Sequence, residues 1–196
     1  LTQDALREKG LKVDVDAFDL AMKSQKEKAR ASWSGSGETA DSSIWFNISQ
    51  EFGSTEFLGY ETEESEAKVL AIVCEGKEVS NAIAGASVQI VFNQTPFYAE
   101  SGGQTGDSGQ VELDGSVTHI EDVRLIAGIF VHFVDSLKFN LSVGDETKLN
   151  VSFEKRRAIK SNHSATHLLN ESLRKNLGNT VSQRGSLNSD DRLRFD

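Results

Sequence analysis

The sequence predicts a mixed α and β chain: an N-terminal helix, an antiparallel β-barrel, and then a helix and strands that begin an incomplete second α/β unit. Three observations predict it. Apolar residues recur at helical spacing early in the chain, short runs of β-formers separated by Gly and Asp fill its middle, and the helical period returns from Glu154. With 196 residues and 37% apolar content, the chain can bury one or two ordinary cores.

Residues 2–9 read as a short helix closed by Gly10. Asp16 is a good N-cap for a second helix, in which Phe18, Met22, Gln25 and Ala29 share one side and Lys23, Lys26, Lys28 and Arg30 the other. Ser34-Gly35-Ser36-Gly37-Glu38 has loop composition. From Ile44 onward the β-formers begin, with candidate strands at 57–60, 67–73, 88–92, 110–113, 116–124, 129–134 and 147–153. Alternation alone does not separate a sandwich from a barrel, and a barrel of about six strands is the reading preferred here. In the following helix Ile159, His163, Thr166, Leu169, Leu173 and Leu177 lie on roughly one side and Gly178 is the stop. Strands over 180–187 and 192–195, joined by Asn188-Ser189-Asp190-Asp191, are expected after it.

Composition excludes some classes of function. No run approaches the roughly 20 apolar residues of a membrane span, and Leu1-Thr2-Gln3-Asp4 has neither a secretory-signal order nor an initiator Met. The missing Met, and an end at Leu193-Arg194-Phe195-Asp196 within a predicted strand, lead us to expect a piece excised from a longer protein. A lone cysteine, Cys74, cannot form an internal disulfide, which fits a reducing compartment and makes the cytoplasm the expected location. The net charge of −9 argues against a general nucleic-acid binder, but its distribution is uneven. Residues 31–152 carry five bases against nineteen acids, whereas residues 153–196 carry nine bases against five acids and are suited to an anionic partner.

Three segments carry chemistry. In Asn162-His163-Ser164-Ala165-Thr166-His167, two imidazoles four residues apart leave one face of a helix and can converge on a metal ion, although the same spacing also arises by chance. Zinc takes three or four protein ligands, and no convincing third is available: Cys74 lies in the predicted barrel, and His119 and His132 read as half-buried strand residues. The second segment, 95–109, contains the chain's one proline and a dense set of glycines. Its Gly102-Gly103-Gln104 invites comparison with the GGQ loop of class I peptide-chain release factors; the alternative is a bent strand-loop-strand in which Gln104 caps a turn. In the third, Val181, Gln183 and Gly185 would share one strand face, making Gln183 either a substrate contact or part of an exposed edge. There is no Walker loop, CxxC pair or spaced Ser/His/Asp set, so nothing in these residues can activate an amino acid with ATP.

In this order, the segments resemble one family. Alanyl-tRNA synthetases carry a run like Thr95-Pro96-Phe97-Tyr98-Ala99-Glu100-Ser101-Gly102-Gly103-Gln104 and a turn like Gly106-Asp107-Ser108-Gly109. They also carry a segment like Arg156-Arg157 through His163-Ser164-Ala165-Thr166-His167-Leu168-Leu169, then Gln183-Arg184-Gly185-Ser186 and Leu193-Arg194-Phe195-Asp196. The resemblance is dense over residues 90–196 and sparse before them. It implies that residues 1–33 end the synthetase's helical tRNA-binding region, that 34–153 form a barrel like the second domain of translation elongation factors, and that 154–196 begin an editing (deacylase) domain.

That domain hydrolyses Ser or Gly wrongly attached to alanine tRNA. By the same resemblance His163 and His167 are half of a Zn2+ site whose Cys and His lie beyond Asp196, and Thr166 and Gln183 match positions that recognise the misattached amino acid. Gly102, Gly103 and Gln104 are RNA-proximal candidates. ATP and Mg2+ would serve an aminoacylation domain outside this chain. The piece alone is expected to hold little zinc, to be inactive, and to self-associate through the apolar side of the editing-domain helix. Free-standing alanyl-tRNA editing proteins, which share the barrel and the HxxxH helix, are the second reading. Residues 8–14, with Phe18, Met22, Gln25 and Ala29-Arg30 after them, discriminate the two, because free-standing editors generally begin near the barrel.

Overall fold

The computed structural model describes Ala17 and residues 39–196 except Asn179. The chain divides into two compact units, 1–39 and 40–196. Ala17 is helical, but the rest of the two helices expected before Trp33, and the Ser/Gly loop after it, lie outside the described residues.

The second unit is mixed α and β. Its elements are α1 (Thr39–Phe52), β1 (Glu56–Phe57), β2 (Glu64–Cys74), β3 (Lys77–Val79), β4 (Asn81–Ala82), β5 (Val88–Phe92), β6 (Gln94–Thr95) and β7 (Gly109–Leu113), followed by β8 (Ser116–Ile120), β9 (Asp122–Ile126), β10 (Ile129–Val134), β11 (Leu141–Ser142), β12 (Glu146–Val151), α2 (Phe153–Leu177), β13 (Ser186–Asn188) and β14 (Leu193–Phe195). The main sheet runs β8-β7-β12-β2-β5-β10-β9, with β3 beside β2. Every pairing within it is antiparallel.

The two ends of this order, β8 and β9, are consecutive in the chain and separated only by Glu121, whose N–H reaches Phe133 O on β10. The sheet therefore curls until its first and last strands are one bent segment. This nearly closed barrel has about six staves, and closure decides between the barrel and the sandwich that alternation had left open.

Burial explains the sequence pattern of the strands. Ala67, Val69, Val88, Ile90, Phe92, Val111, Ile120 and Leu149 belong to one buried cluster together with Phe97, and Ala71, Val73, Val91, Ile129 and Val131 to a second. Trp45 and Ile48 of α1 complete the second cluster, so this helix covers the outside of β2, β5 and β10. Strands buried on both faces read as nearly continuous apolar runs, which is the character of 88–92 and 129–134, interrupted at Gln89 and His132. Within β2 the register shifts between Val69 and Ala71, and this bulge sends Ile72 rather than Ala71 into the cluster that holds Ala67 and Val69. One extra residue exchanges the two faces of a strand.

The sequence reading missed α1, whose Ile44, Trp45, Phe46 and Ile48 count as β-formers; the docking of Ile44, Trp45 and Ile48 against the barrel outweighs local propensity. Gly53 closes this helix with φ 77°, its N–H bonding Ser49 O at 3.0 Å. The strand expected at 57–60 shrinks to Glu56–Phe57 and passes into a turn at Leu58. The strand expected at 116–124 is divided by the corner at Glu121, and that expected at 147–153 ends at Val151 because Phe153 already opens α2. No described helix is long and apolar enough to cross a membrane.

His132 is fully buried on β10 and His119 is exposed on β8 beside Glu121, so neither is the half-buried residue expected. His132 donates Nδ1–H to Ile90 O at 3.2 Å and accepts the Thr95 hydroxyl at Nε2 at 2.8 Å. Burial drives its pKa down from 6.5 to about 4, against the smaller raising effects of backbone bonds at Ile90 and Phe130. Because the unfolded chain binds the proton first, stability from this group is complete above pH 6.5 and is lost as the pH falls from 6.5 to about 4. The loss amounts to about 3 kcal/mol. Urea unfolding of His132→Gln is expected to show a flatter pH dependence than the parent over that window, and parallel profiles would count against this assignment.

Candidate functional site

Helix α2 presents the site. Its buried residues Arg156, Ile159 and Thr166 fall at three- and seven-residue intervals, and His163 lies on the same stripe. His163 is accordingly half-buried, while His167, one turn on, is exposed. The two rings approach within 4.9 Å, centroid to centroid, tilted by 44°. The rings are thus neighbours one helical turn apart, as the spacing predicts. Their sp² nitrogens are donors of the kind zinc takes, so the pair fits two positions of a zinc coordination sphere. Among the described residues no cluster of three or more His, Cys, Asp or Glu is placed to hold a metal.

Ser152 precedes α2, its N–H bonding Ser108 O at 2.9 Å, and Gly178 closes it with φ 97°. Arg156 in the first turn is buried and fastened to Asp107 through Nε at 3.1 Å and through Nη2, which also reaches Pro96 O. Asp107 accepts the Tyr98 N–H at 2.7 Å as well. The start of the helix is thereby pinned to the glycine-rich segment 95–109.

That segment makes a tight turn beside the histidines. Gly102 and Gly103 have φ 59° and 82°, and Ser101 and Gln104 exchange backbone hydrogen bonds of 2.9 and 3.2 Å. Positive φ at both central residues is what a two-residue type I′ turn demands, which accounts for the paired glycines. The turn rests on β13: Asn188 N–H bonds Gly103 O at 2.7 Å, and Thr105 N–H bonds Asn188 O at 3.0 Å. Gln104 leaves this platform and places its Oε1 2.8 Å from Nδ1 of His163.

Thr166 is 2% exposed, its hydroxyl 2.5 Å from Asn188 Oδ1 and 3.0 Å from Asn162 O. Asn188 itself is buried, so this polar contact joins α2 to β13 inside the protein. Asn162 Nδ2 adds a bond to Ser189 O at 2.8 Å. Gln183 is exposed and lies in an irregular stretch, because the strand expected from residue 180 starts only at Ser186, which bonds within a short hairpin with β14. With Gly102, Gly103, Arg184, Gly185 and Ser186 it lines a shallow groove of about 470 Å³. Turn and glutamine thus share a groove, while the histidine pair is reached from the turn through Gln104.

Sequence reasoning did not find Asn162, Asn188, or the pairing of Asp107 with Arg156. The last had a signal, since Asp107 sits in the Gly-Asp-x-Gly turn and Arg156 opens the motif of α2. Asn188 carried none, being read as a loop residue. Leu169 and Leu177, on the apolar side of α2, are exposed, as is Leu168 on the opposite face.

The model of the family described as tRNA synthetases class II (A) matches residues 1–155. Among curated proteins, the chain is 57% identical over 196 residues to an alanine-tRNA ligase of Cereibacter sphaeroides, covering all of this chain and 22% of that protein. An alanine-tRNA ligase of Jannaschia sp. is 56% identical with the same coverage. One of Ruegeria pomeroyi is 52% identical over 201 residues, 23% of its length. The chain therefore spans less than a quarter of these relatives, yet matches them along its whole extent, from before the barrel through the histidine helix to β14. Such identity, with the family model matching most of the same residues, shows that the chain belongs to the alanine-tRNA ligase family of class II tRNA synthetases.

Proposed function

We propose that this chain is the part of an alanine-tRNA ligase that joins its tRNA-binding helices, over 1–33, through the barrel of 34–153 to a proofreading site that begins at 154. The whole enzyme attaches alanine to its tRNA with ATP and Mg2+ in a region outside this chain, and hydrolyses Ser- and Gly-tRNA. A pocket for a small side chain gains only about 1–3 kcal/mol per methylene and rejects an added hydroxyl poorly, so a second, hydrolytic site is needed. The observation that carries this reading is the pair of imidazoles 4.9 Å apart on α2.

His163 and His167 would hold zinc with a Cys and a His from beyond Asp196. Zinc bound there would act as a Lewis acid on the misacylated ester or its attacking water. Gln183 lines the groove with Gly102 and Gly103 and would meet the aminoacyl end of the tRNA there. Thr166, whose single hydroxyl proton is shared between Asn162 O and Asn188 Oδ1, would select serine through a remaining lone pair of its buried hydroxyl if the bound ester reaches it. The basic surplus of 153–196 suits the phosphates of tRNA. Residues 1–33 take part in the match to the ligases, which favours this reading over a free-standing editing protein.

The test uses the chain extended through the two further ligands. His163→Ala and His167→Ala are each expected to lower serine release from Ser-tRNA by more than about 100-fold, since even partners of zinc ligands are worth about 10–100-fold. Zinc measured by elemental analysis should fall from one per chain towards none. Unchanged hydrolysis and zinc content would overturn the assignment.

A further inference from the structure

The Gly-Gly-Gln motif has a structural explanation for its glycines, but the turn does not require glutamine at its last position. Its backbone is held on both sides: Gln104 N–H bonds Ser101 O, Gln104 O accepts from Ser101 N–H, and the residue forms a parallel bridge with Asn188. The side chain therefore starts from a rigid base, in a half-buried position, and ends at Nδ1 of His163.

A closed circuit supports the contact. His163 and Thr166 are neighbours on one stripe of α2; Thr166 meets Asn188, Asn188 holds Gly103 and Thr105, and Gln104 between them returns to His163. Four links from different elements leave little freedom in the distance between the glutamine amide and the imidazole. Rigid support of this kind is what a functional side chain needs from its neighbours.

An amide oxygen only accepts, so a bond between Gln104 Oε1 and Nδ1 requires the proton to sit on Nδ1. In a neutral imidazole the lone pair is then on Nε2, the nitrogen away from Gln104. We infer that Gln104 is a positioning residue that holds His163 as the Nδ1–H tautomer and so makes Nε2 its ligating atom. The ligand role rests on the proofreading reading above; the tautomer does not. Metal-binding histidines are commonly oriented by an acceptor on the second nitrogen, and here the acceptor comes from the glycine-rich loop 59 residues upstream. The amide that could reach toward an RNA ester is thereby engaged within the protein.

Two measurements test this. In the metal-free 196-residue chain, labelled with 15N and held at a pH where imidazole is neutral, long-range imidazole correlations should show His163 with its proton on Nδ1. A proton on Nε2 in the unmodified chain would overturn the inference, with no variant needed. Gln104→Met, similar in length but without the oxygen, should shift His163 toward the other tautomer, and Gln104→Glu, which keeps an acceptor, should restore the Nδ1–H form. Retention of dispersed backbone amide signals identifies variants that remain folded; an unchanged tautomer in folded Gln104→Met would overturn the inference.

In the extended chain, competition with a chromophoric chelator should show zinc affinity roughly 10–100-fold weaker for Gln104→Met, with most of it regained in Gln104→Glu. Unaltered affinity in Gln104→Met would refute the positioning role. The two readings fail separately: loss of the proofreading assignment would appear as intact zinc in His163→Ala, whereas loss of this inference would appear in the tautomer or in the glutamine variants alone.

Discussion

Asp107→Leu and Arg156→Met are each expected to lower the melting temperature of the chain by roughly 6–20 °C, because breaking a buried ion pair from one side costs about 3–5 kcal/mol and a domain of this size shifts about 2–4 °C per kcal/mol. The two side chains are 2% and 4% exposed, so water cannot take the place of the missing partner. Arg156 Nη1 already lacks a hydrogen-bond partner among the described residues, and removing Asp107 would leave the whole guanidinium dependent on Pro96 O. Removing Arg156 would leave the carboxylate with the Tyr98 N–H. Replacing both residues removes both charges, so Asp107→Leu/Arg156→Met should be less damaging than the sum of the singles. Urea or thermal unfolding of the three variants checks this cycle. Additive losses, or single losses below about 1 kcal/mol, would show that the pair is not a buried unit. The consequence for function is positional: Arg156 precedes His163 by seven residues on one stripe, so releasing the first turn of α2 should also loosen the contact between Gln104 and His163.

What could be read from the sequence follows from range. The strands at 88–92 and 129–134 are found at their expected limits, and α2 ends at the expected Gly178, because apolar runs and helix stops are local signals. The approach of His163 to His167 is equally local, being set by one turn of helix. The bulge after Val69, by contrast, depends on loop contacts: Gly144 N–H bonds Val69 O, and Val69 N–H bonds Asp145 O. Gln104 and His163 are 59 residues apart, and Thr166 and Asn188 are 22 apart across a helix end and an irregular stretch. No periodicity connects such pairs. Gln183 shows the opposite error, since alternation suggested a strand where residues 180–185 instead run irregularly beside the Gly102-Gly103 turn.

The same turn yields a contrast between two adjacent glycines. Gly102→Ala and Gly103→Ala both place a side chain in the left-handed region, which costs about 1–2 kcal/mol. Around Gly102 nothing lies within 4 Å of the added carbon, so that cost should be nearly the whole effect. At Gly103 the new Cβ would stand 2.4 Å from Ser186 O and 2.6 Å from Ser186 Oγ. A side-chain oxygen can rotate away, but the backbone oxygen belongs to β13, paired with Phe195 on β14. The collision adds about 1–3 kcal/mol and brings the expected total for Gly103→Ala to about 2–5 kcal/mol. It can be relieved only if the turn withdraws from β13, which stretches the 2.7 Å bond from Asn188 N–H to Gly103 O and draws Gln104 away from His163. Gly103→Ala should therefore perturb the imidazole resonances of His163 as well as stability, while Gly102→Ala should leave those resonances in place. Equal and small effects at both positions would mean that the turn does not rest on β13, and the route from the glycine-rich loop to the histidine pair would lose its physical basis.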